Sequence, residues 1–134
     1  MLIDLNIIFG WVWMLAGIFV GGIVGMFFAK EDFMGGYNSW RRRLVRLGHI
    51  AFIGMAIVNI GFALCIKTYN IHGFAADIAS IGFFIGGVGM PVICLLSAWK
   101  QKLRHAFAIP VAGVSIGSAL TIWMIIKVVL ETHS

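Results

Sequence analysis

The sequence predicts an all-α integral membrane protein, a bundle of four transmembrane helices, and its composition gives two reasons. Apolar residues make up 61% of the 134 positions and charged residues only 11%, and the mean hydropathy is +1.02. A soluble domain carries about 25% charged residues, so this chain has too few charges to cover a water-exposed surface. Its length corresponds to a single membrane domain, residues 1–134.

Four apolar stretches are long enough to cross a bilayer. They cover residues of about 6–29, 44–66, 78–98 and 106–128. Each is close to the roughly 20 residues that an α-helix needs to span the hydrocarbon core. The connections between them are short, so we expect consecutive helices to form antiparallel hairpins.

The basic residues predict how the helices are oriented. Eight of the ten Lys and Arg residues lie in or beside two loops, 30–43 and 99–105, while Lys67 and Lys127 fall on the other side. Loops rich in Lys and Arg remain in the cytoplasm. We therefore expect both basic loops to be cytoplasmic and both termini to lie outside, in the cell (inner) membrane. The net charge of +5 is then a topology signal, and no nucleic-acid partner is predicted.

The two halves of the sequence resemble each other. With His49 aligned to His105, ten of the 20 positions in 47–66 are identical to their counterparts. The segment 17–26 also aligns with 82–90 when one residue is dropped. These matches predict a tandem repeat of one helical hairpin, with halves of about 15–66 and 80–122. Repeats of the same orientation are related by a pseudo-twofold axis along the membrane normal.

Glycines recur at helical spacing within the spans. Lipid tails are as apolar as Leu, so membrane helices associate through close packing of small residues. We therefore expect packing faces at Gly17, Gly21, Gly25, Gly82, Gly86, Gly113 and Gly117. The alternative is that some of them make room for a flat cofactor or a partner helix.

Two other residues inside the spans are unusual. Pro91 lies in the third span, where it removes one backbone hydrogen bond and predicts a kink. Asn59 is the polar side chain at the greatest depth. We expect it to bond to Ser115, which is polar in the second half, or to a backbone carbonyl.

The histidine pair is the candidate cofactor site. His49 and His105 are equivalent in the repeat and are predicted to lie at similar depth on the same side. Imidazole is an axial ligand of haem iron and a common metal ligand. Met26 and Met90 are also repeat equivalents, and their thioethers suit Cu(I) or haem iron. The alternative is that both histidines are ordinary residues at helix ends near the lipid headgroups.

Three functions are compatible with these features. The first is a non-enzymatic accessory or assembly subunit of a larger membrane complex, for example a respiratory one. It is favoured by the small size and by the lack of a recognisable catalytic set. The second is an electron-transfer protein with haem b or a metal between His49 and His105. The third is an oligomeric small transporter or channel protomer. The expected partners are the lipid bilayer and other membrane subunits or further copies of this chain.

Overall fold

Helices account for almost all of the chain. A computed structural model describes residues 1–133, with only the backbone at His133. Over these residues it contains four long α-helices and no strand: α1 Leu2–Phe28, α2 Trp40–Thr68, α3 Phe74–Trp99 and α4 Ala108–His133. Short 3-10 segments cover Phe33–Gly35 and Gln101–Phe107. All four long helices are apolar enough to span a membrane, which supports the predicted multi-pass helical architecture.

The helices extend beyond the apolar stretches that predict them. The start of α2 shows why, because the Ser39 hydroxyl accepts a hydrogen bond of 3.2 Å from the Arg42 backbone N–H. Such N-caps satisfy the free N–H groups of a first turn. The helix therefore begins before its basic residues, although the hydrocarbon-length stretch starts after them. In contrast, α4 begins two residues later than predicted because the preceding segment is 3-10.

The helices are arranged as an open row rather than a closed ring. Extensive antiparallel interfaces join α1 to α2, α2 to α3 and α3 to α4, and α1 makes a smaller contact with α3. In the described part of the chain, neither α1 and α4 nor α2 and α4 share an extended interface. A twofold relation between the hairpins would require α1 to meet α4 as α2 meets α3. The packing does not show that relation.

The two hairpins also pack in different registers. A Cβ on Gly17 would lie 2.7 Å from Ile53 Cδ1. In the repeat alignment the counterpart of Gly17 is Gly82, and that of Ile53 is Ile109. Gly82 instead faces the carbonyl oxygen of Gly113, about one helical turn further along α4. The sequence repeat is therefore not visible as superposable hairpin contacts.

Candidate functional site

A buried polar cluster joins the first three helices. The Asn6 amide donates to Asn59 Oδ1 at 2.8 Å, and the Ser80 hydroxyl donates to Asn6 Oδ1. Asn59 Nδ2 donates to the backbone oxygens of Met55 and Phe83 at 2.8 and 3.3 Å. Asn6, Asn59 and Ser80 are all fully buried. A buried amide is costly unless it is hydrogen-bonded, so these contacts fix α1, α2 and α3 together.

The partner expected for Asn59 on α4 is therefore wrong, whereas the expected backbone carbonyl is present. Ser115 is exposed on α4, and Asn59 faces α1 and α3 instead. Asn6 was not among the predicted residues, and it lies at the edge of the first apolar stretch. A second amide within a transmembrane helix is the signal that would have identified it.

A second polar contact satisfies the backbone at the proline of α3. Pro91 has no N–H, so the carbonyl of Gly87 four residues earlier lacks its usual helical donor. The indole Nε1 of Trp13 on α1 donates to that carbonyl at 2.7 Å. Phe9 stacks on Trp13 and also lies against Gly87. The proline of one helix is thus matched by an aromatic donor from another.

One of the basic residues has a structural role. Arg42 is only 5% exposed, and its Nη2 donates to the Phe28 carbonyl oxygen at 2.7 Å. Its guanidinium also lies 4.6 Å from the centroid of the Phe28 ring. Cations near a helix C-terminus compensate the carbonyls that lack helical partners. Arg42 therefore caps the end of α1 in addition to any role in topology.

The two basic loops lie at the same end of the molecule, which we call the basic end. A surface cavity of about 510 Å³ lies between them. It is lined by Met34, Gly35, Ser39, Trp40 and Arg41 on one side and by Ala98, Trp99 and Gln101 on the other. This shared location is what antiparallel hairpins require.

His49 packs against α1. A Cβ placed on Gly21 would collide with the imidazole ring, so the ring lies directly against the α1 backbone. Its Nδ1 atom is buried and has no hydrogen-bond partner within residues 1–133. The glycine thus makes room for the histidine itself and not for an additional flat group between them.

His105 lies in a different environment. It is exposed on the 3-10 segment Gln101–Phe107, beside Lys102 and Arg104. Haem held by two histidines needs both rings to face one space, with each nitrogen about 2 Å from the iron. His49 instead faces α1, and in the described chain no extended interface joins α1 to the segment Gln101–Phe107 that carries His105. The packing does not bring the two rings together, and these residues do not fit a bis-histidine haem.

The two methionines are also separated. Met26 is 72% exposed near the end of α1, whereas Met90 lines an apolar cavity formed by the other three helices. Within residues 1–133, no group of three or more His, Cys, Asp or Glu side chains is placed to hold a metal ion.

Six of the seven predicted packing glycines lie at helix interfaces. Gly17 and Gly21 contact α2, while Gly82 and Gly86 of α3 face α4, as Gly113 and Gly117 of α4 face α3. Gly25 differs, because a Cβ placed there would have no neighbour within 4 Å in the described chain. Gly25 lies on the exposed side of α1 near the basic end, whereas its neighbour Val24 still packs against the buried cluster that contains Leu44 and Val45 of α2.

Glycines that the sequence analysis did not single out also lie at interfaces. Gly10 faces α2, Gly48 faces Cys94 and Leu95 of α3, and Gly89 faces Pro110.

No known protein family, curated protein or solved structure matches this chain.

Proposed function

We propose that this protein is a non-enzymatic accessory or assembly subunit of a larger membrane complex. The observation that carries the proposal is the edge position of α1. In the described chain only Asn6, Gly10 and Gly17 of this helix are buried. Most of its large apolar side chains, including Trp11, lie on exposed surface.

The exposed surface of α1 includes two glycines that have no neighbours within residues 1–133. A Cβ on Gly22 or Gly25 would meet no atom within 4 Å. Small residues let membrane helices approach closely, whereas lipid tails gain nothing from them. Phe19 and Ile23 flank Gly22 and are also exposed. This surface suits a helix of a partner subunit. Any catalytic or redox chemistry of the complex would then be supplied by the other subunits.

We further propose that the basic end faces the cytoplasm. Seven of the eight basic residues at this end, all but Lys30, lie in the first two turns of α2 or between α3 and α4, where they would act as topology signals. The natural cysteines should be replaced first, and single cysteines then placed at Gly35 and at Asn70, in the loop after α2. A membrane-impermeant thiol reagent should label position 70, and not position 35, from outside. The reverse labelling would contradict this orientation.

The subunit proposal is tested by the mass of the extracted protein. The tagged full chain should be extracted from its native membrane in mild detergent and analysed by size-exclusion chromatography with light scattering. We expect a protein mass well above the 14.7 kDa of one chain, and a second polypeptide in stoichiometric amount. Gly22→Leu should release the chain from that assembly.

Gly61→Leu is the matched control. A Cβ at Gly61 of α2 also meets no atom within 4 Å in the described chain, so this variant should remain assembled. A wild-type mass equal to a simple multiple of the single chain would contradict the subunit proposal and favour an oligomeric transporter or channel. A monomer unaffected by Gly22→Leu would contradict both.

A further inference from the structure

The face of the row opposite α1 carries a long apolar groove. Its walls are α2 and the start of α4, and its floor is α3. The groove has a volume of about 610 Å³ and is almost entirely apolar. Its lining includes Leu47, Gly54 and Val58 of α2, Met90 and Cys94 of α3, and Phe107 just before α4.

The length of the groove corresponds to one leaflet of a bilayer. Along α2 its lining runs from Leu47 to Val58, which at 1.5 Å per residue is roughly 16 Å. The hydrocarbon core is about 30 Å thick. A transmembrane partner helix would need a groove across the whole core. A lipid acyl chain occupies one leaflet only, and it therefore matches this length.

The mouth of the groove is positively charged on both walls. Arg43 precedes Leu47 by four residues, so it lies on the same face of α2, one turn closer to the basic end. Arg104 precedes Phe107 by three residues in a 3-10 segment, where side chains at this spacing align. Both arginines are exposed. Neither guanidinium has a hydrogen-bond, ion-pair or aromatic partner in the described residues.

We propose that this groove binds an anionic phospholipid, with an acyl chain along α3 and the headgroup phosphate between Arg43 and Arg104. Lys102 and His105 line a small polar cavity together with Arg104, so they would extend the positive surface around the headgroup. Guanidinium groups bind phosphate oxygens with paired donors. The site lies away from the exposed face of α1 and is independent of the subunit proposal.

The test compares two phospholipids with identical acyl chains. The purified full chain in detergent should be titrated with phosphatidylglycerol or phosphatidylcholine and examined by native mass spectrometry. We expect a single saturable phosphatidylglycerol adduct and much weaker binding of phosphatidylcholine. Arg43→Ala/Arg104→Ala should weaken phosphatidylglycerol binding by about 10- to 30-fold, because each basic residue near a membrane surface contributes about 1 kcal/mol.

Two variants distinguish lipid binding at the mouth of the groove from binding that depends only on the net charge of the protein. Arg41→Ala/Lys100→Ala removes the same charge at the basic end but away from the groove, and it should bind like wild type. Arg43→Lys/Arg104→Lys keeps the charge but loses the paired donors of the guanidinium groups, so its affinity should lie between those of the wild type and the double alanine variant. If the Arg41/Lys100 pair matters as much as the Arg43/Arg104 pair, binding follows net charge alone and the site is wrong.

A third variant tests the apolar part of the groove. A Cβ at Gly54 meets no atom within 4 Å in the described chain, so Gly54→Leu should fill the groove without disturbing the fold. We expect it to abolish the saturable adduct while the thermal stability is unchanged. Undiminished lipid binding would overturn the proposal. So would a wild-type dimer that Gly54→Leu dissociates, since the occupant would then be a second copy.

Discussion

The two hairpins of this protein use glycine in different ways. In α1–α2 the glycines of α1 face mainly side chains, with Gly17 against Ile53 and Phe52, and Gly21 against His49. In α3–α4 the central contacts involve backbone. A Cβ on Gly82 would lie 2.5 Å from the carbonyl oxygen of Gly113, and one on Gly113 would lie 2.9 Å from that of Gly82. At Gly17 and Gly21 the α1–α2 interface can therefore yield by moving side chains, whereas at Gly82 and Gly113 the α3–α4 interface cannot.

The hairpins also differ in their polar contacts. Asn6 and Trp13 link α1 to its neighbours through side-chain hydrogen bonds. No side-chain hydrogen bond joins α3 to α4 in the described residues, and the one formed by Thr121 returns to its own helix. Among the described residues, α4 is therefore held against α3 by close packing rather than by side-chain hydrogen bonds. Two hairpins with matching sequence positions are thus held together by different kinds of contact.

The largest effect is expected where backbone meets backbone. Gly82→Ala places a methyl group against the Gly113 carbonyl, and overpacking of this kind costs typically about 1–3 kcal/mol. The better helix propensity of Ala returns up to about 1 kcal/mol. Because the Gly113 backbone cannot move aside, we take the upper end of that range and expect a net loss of about 2 kcal/mol in the free energy of unfolding, measured by SDS titration in mixed micelles. Gly54→Ala, at an open position, should be neutral or slightly stabilising. An equal loss of stability in both variants would show that the backbone contact at Gly82 is not the cause.

The next effect concerns the polar cluster. Asn59→Leu removes the acceptor of the Asn6 amide and leaves that N–H group buried without its partner. Such a group costs about 1–3 kcal/mol, while side-chain hydrogen bonds in membranes average about 0.6 kcal/mol. We expect a loss of about 1–2 kcal/mol by the same titration. Ser115→Ala, at the repeat counterpart on α4, should change stability by less than about 0.5 kcal/mol. A comparable loss at Ser115 would contradict this expectation, because it would show that the two matching positions contribute equally to the stability of the bundle.

A double-mutant cycle sharpens the contrast between side-chain and backbone contacts. Gly21→Ala should cost about 1 kcal/mol because the His49 ring must move. In a His49→Ala background the same change should cost almost nothing, since the ring is absent. Equal costs in both backgrounds would mean that Gly21 is constrained by the backbone of α2, as Gly82 is by that of α4.

The smallest effect is expected at the proline of α3. Trp13→Phe keeps the aromatic packing but removes the donor to Gly87, at a cost of about 0.6 kcal/mol. Pro91→Ala supplies an N–H group that can bond to the same carbonyl. In that background Trp13→Phe should lose its effect on the free energy of unfolding. A cost that persists would indicate that the indole stabilises the bundle by packing alone.

Several features of this fold follow from the sequence with little ambiguity. The four spans follow from hydropathy, because crossing a bilayer demands about 20 apolar residues whatever the helices pack against. The shared end of the two basic loops follows from short connections and helix length. Most of the packing glycines were also predictable, since close approach in a membrane requires small residues.

Only the tertiary structure decided which helices meet and which side chains converge. The ten matching positions around His49 and His105 predict equivalent environments, yet one ring lies against Gly21 and the other is exposed. In an almost uniformly apolar sequence the period of hydrophobic residues cannot mark a buried face. The choice of partner depends on a few small or polar groups such as Asn6, Trp13 and Gly113. Their contacts depend on the order and the register of the helices. No local pattern in the sequence reveals either of these.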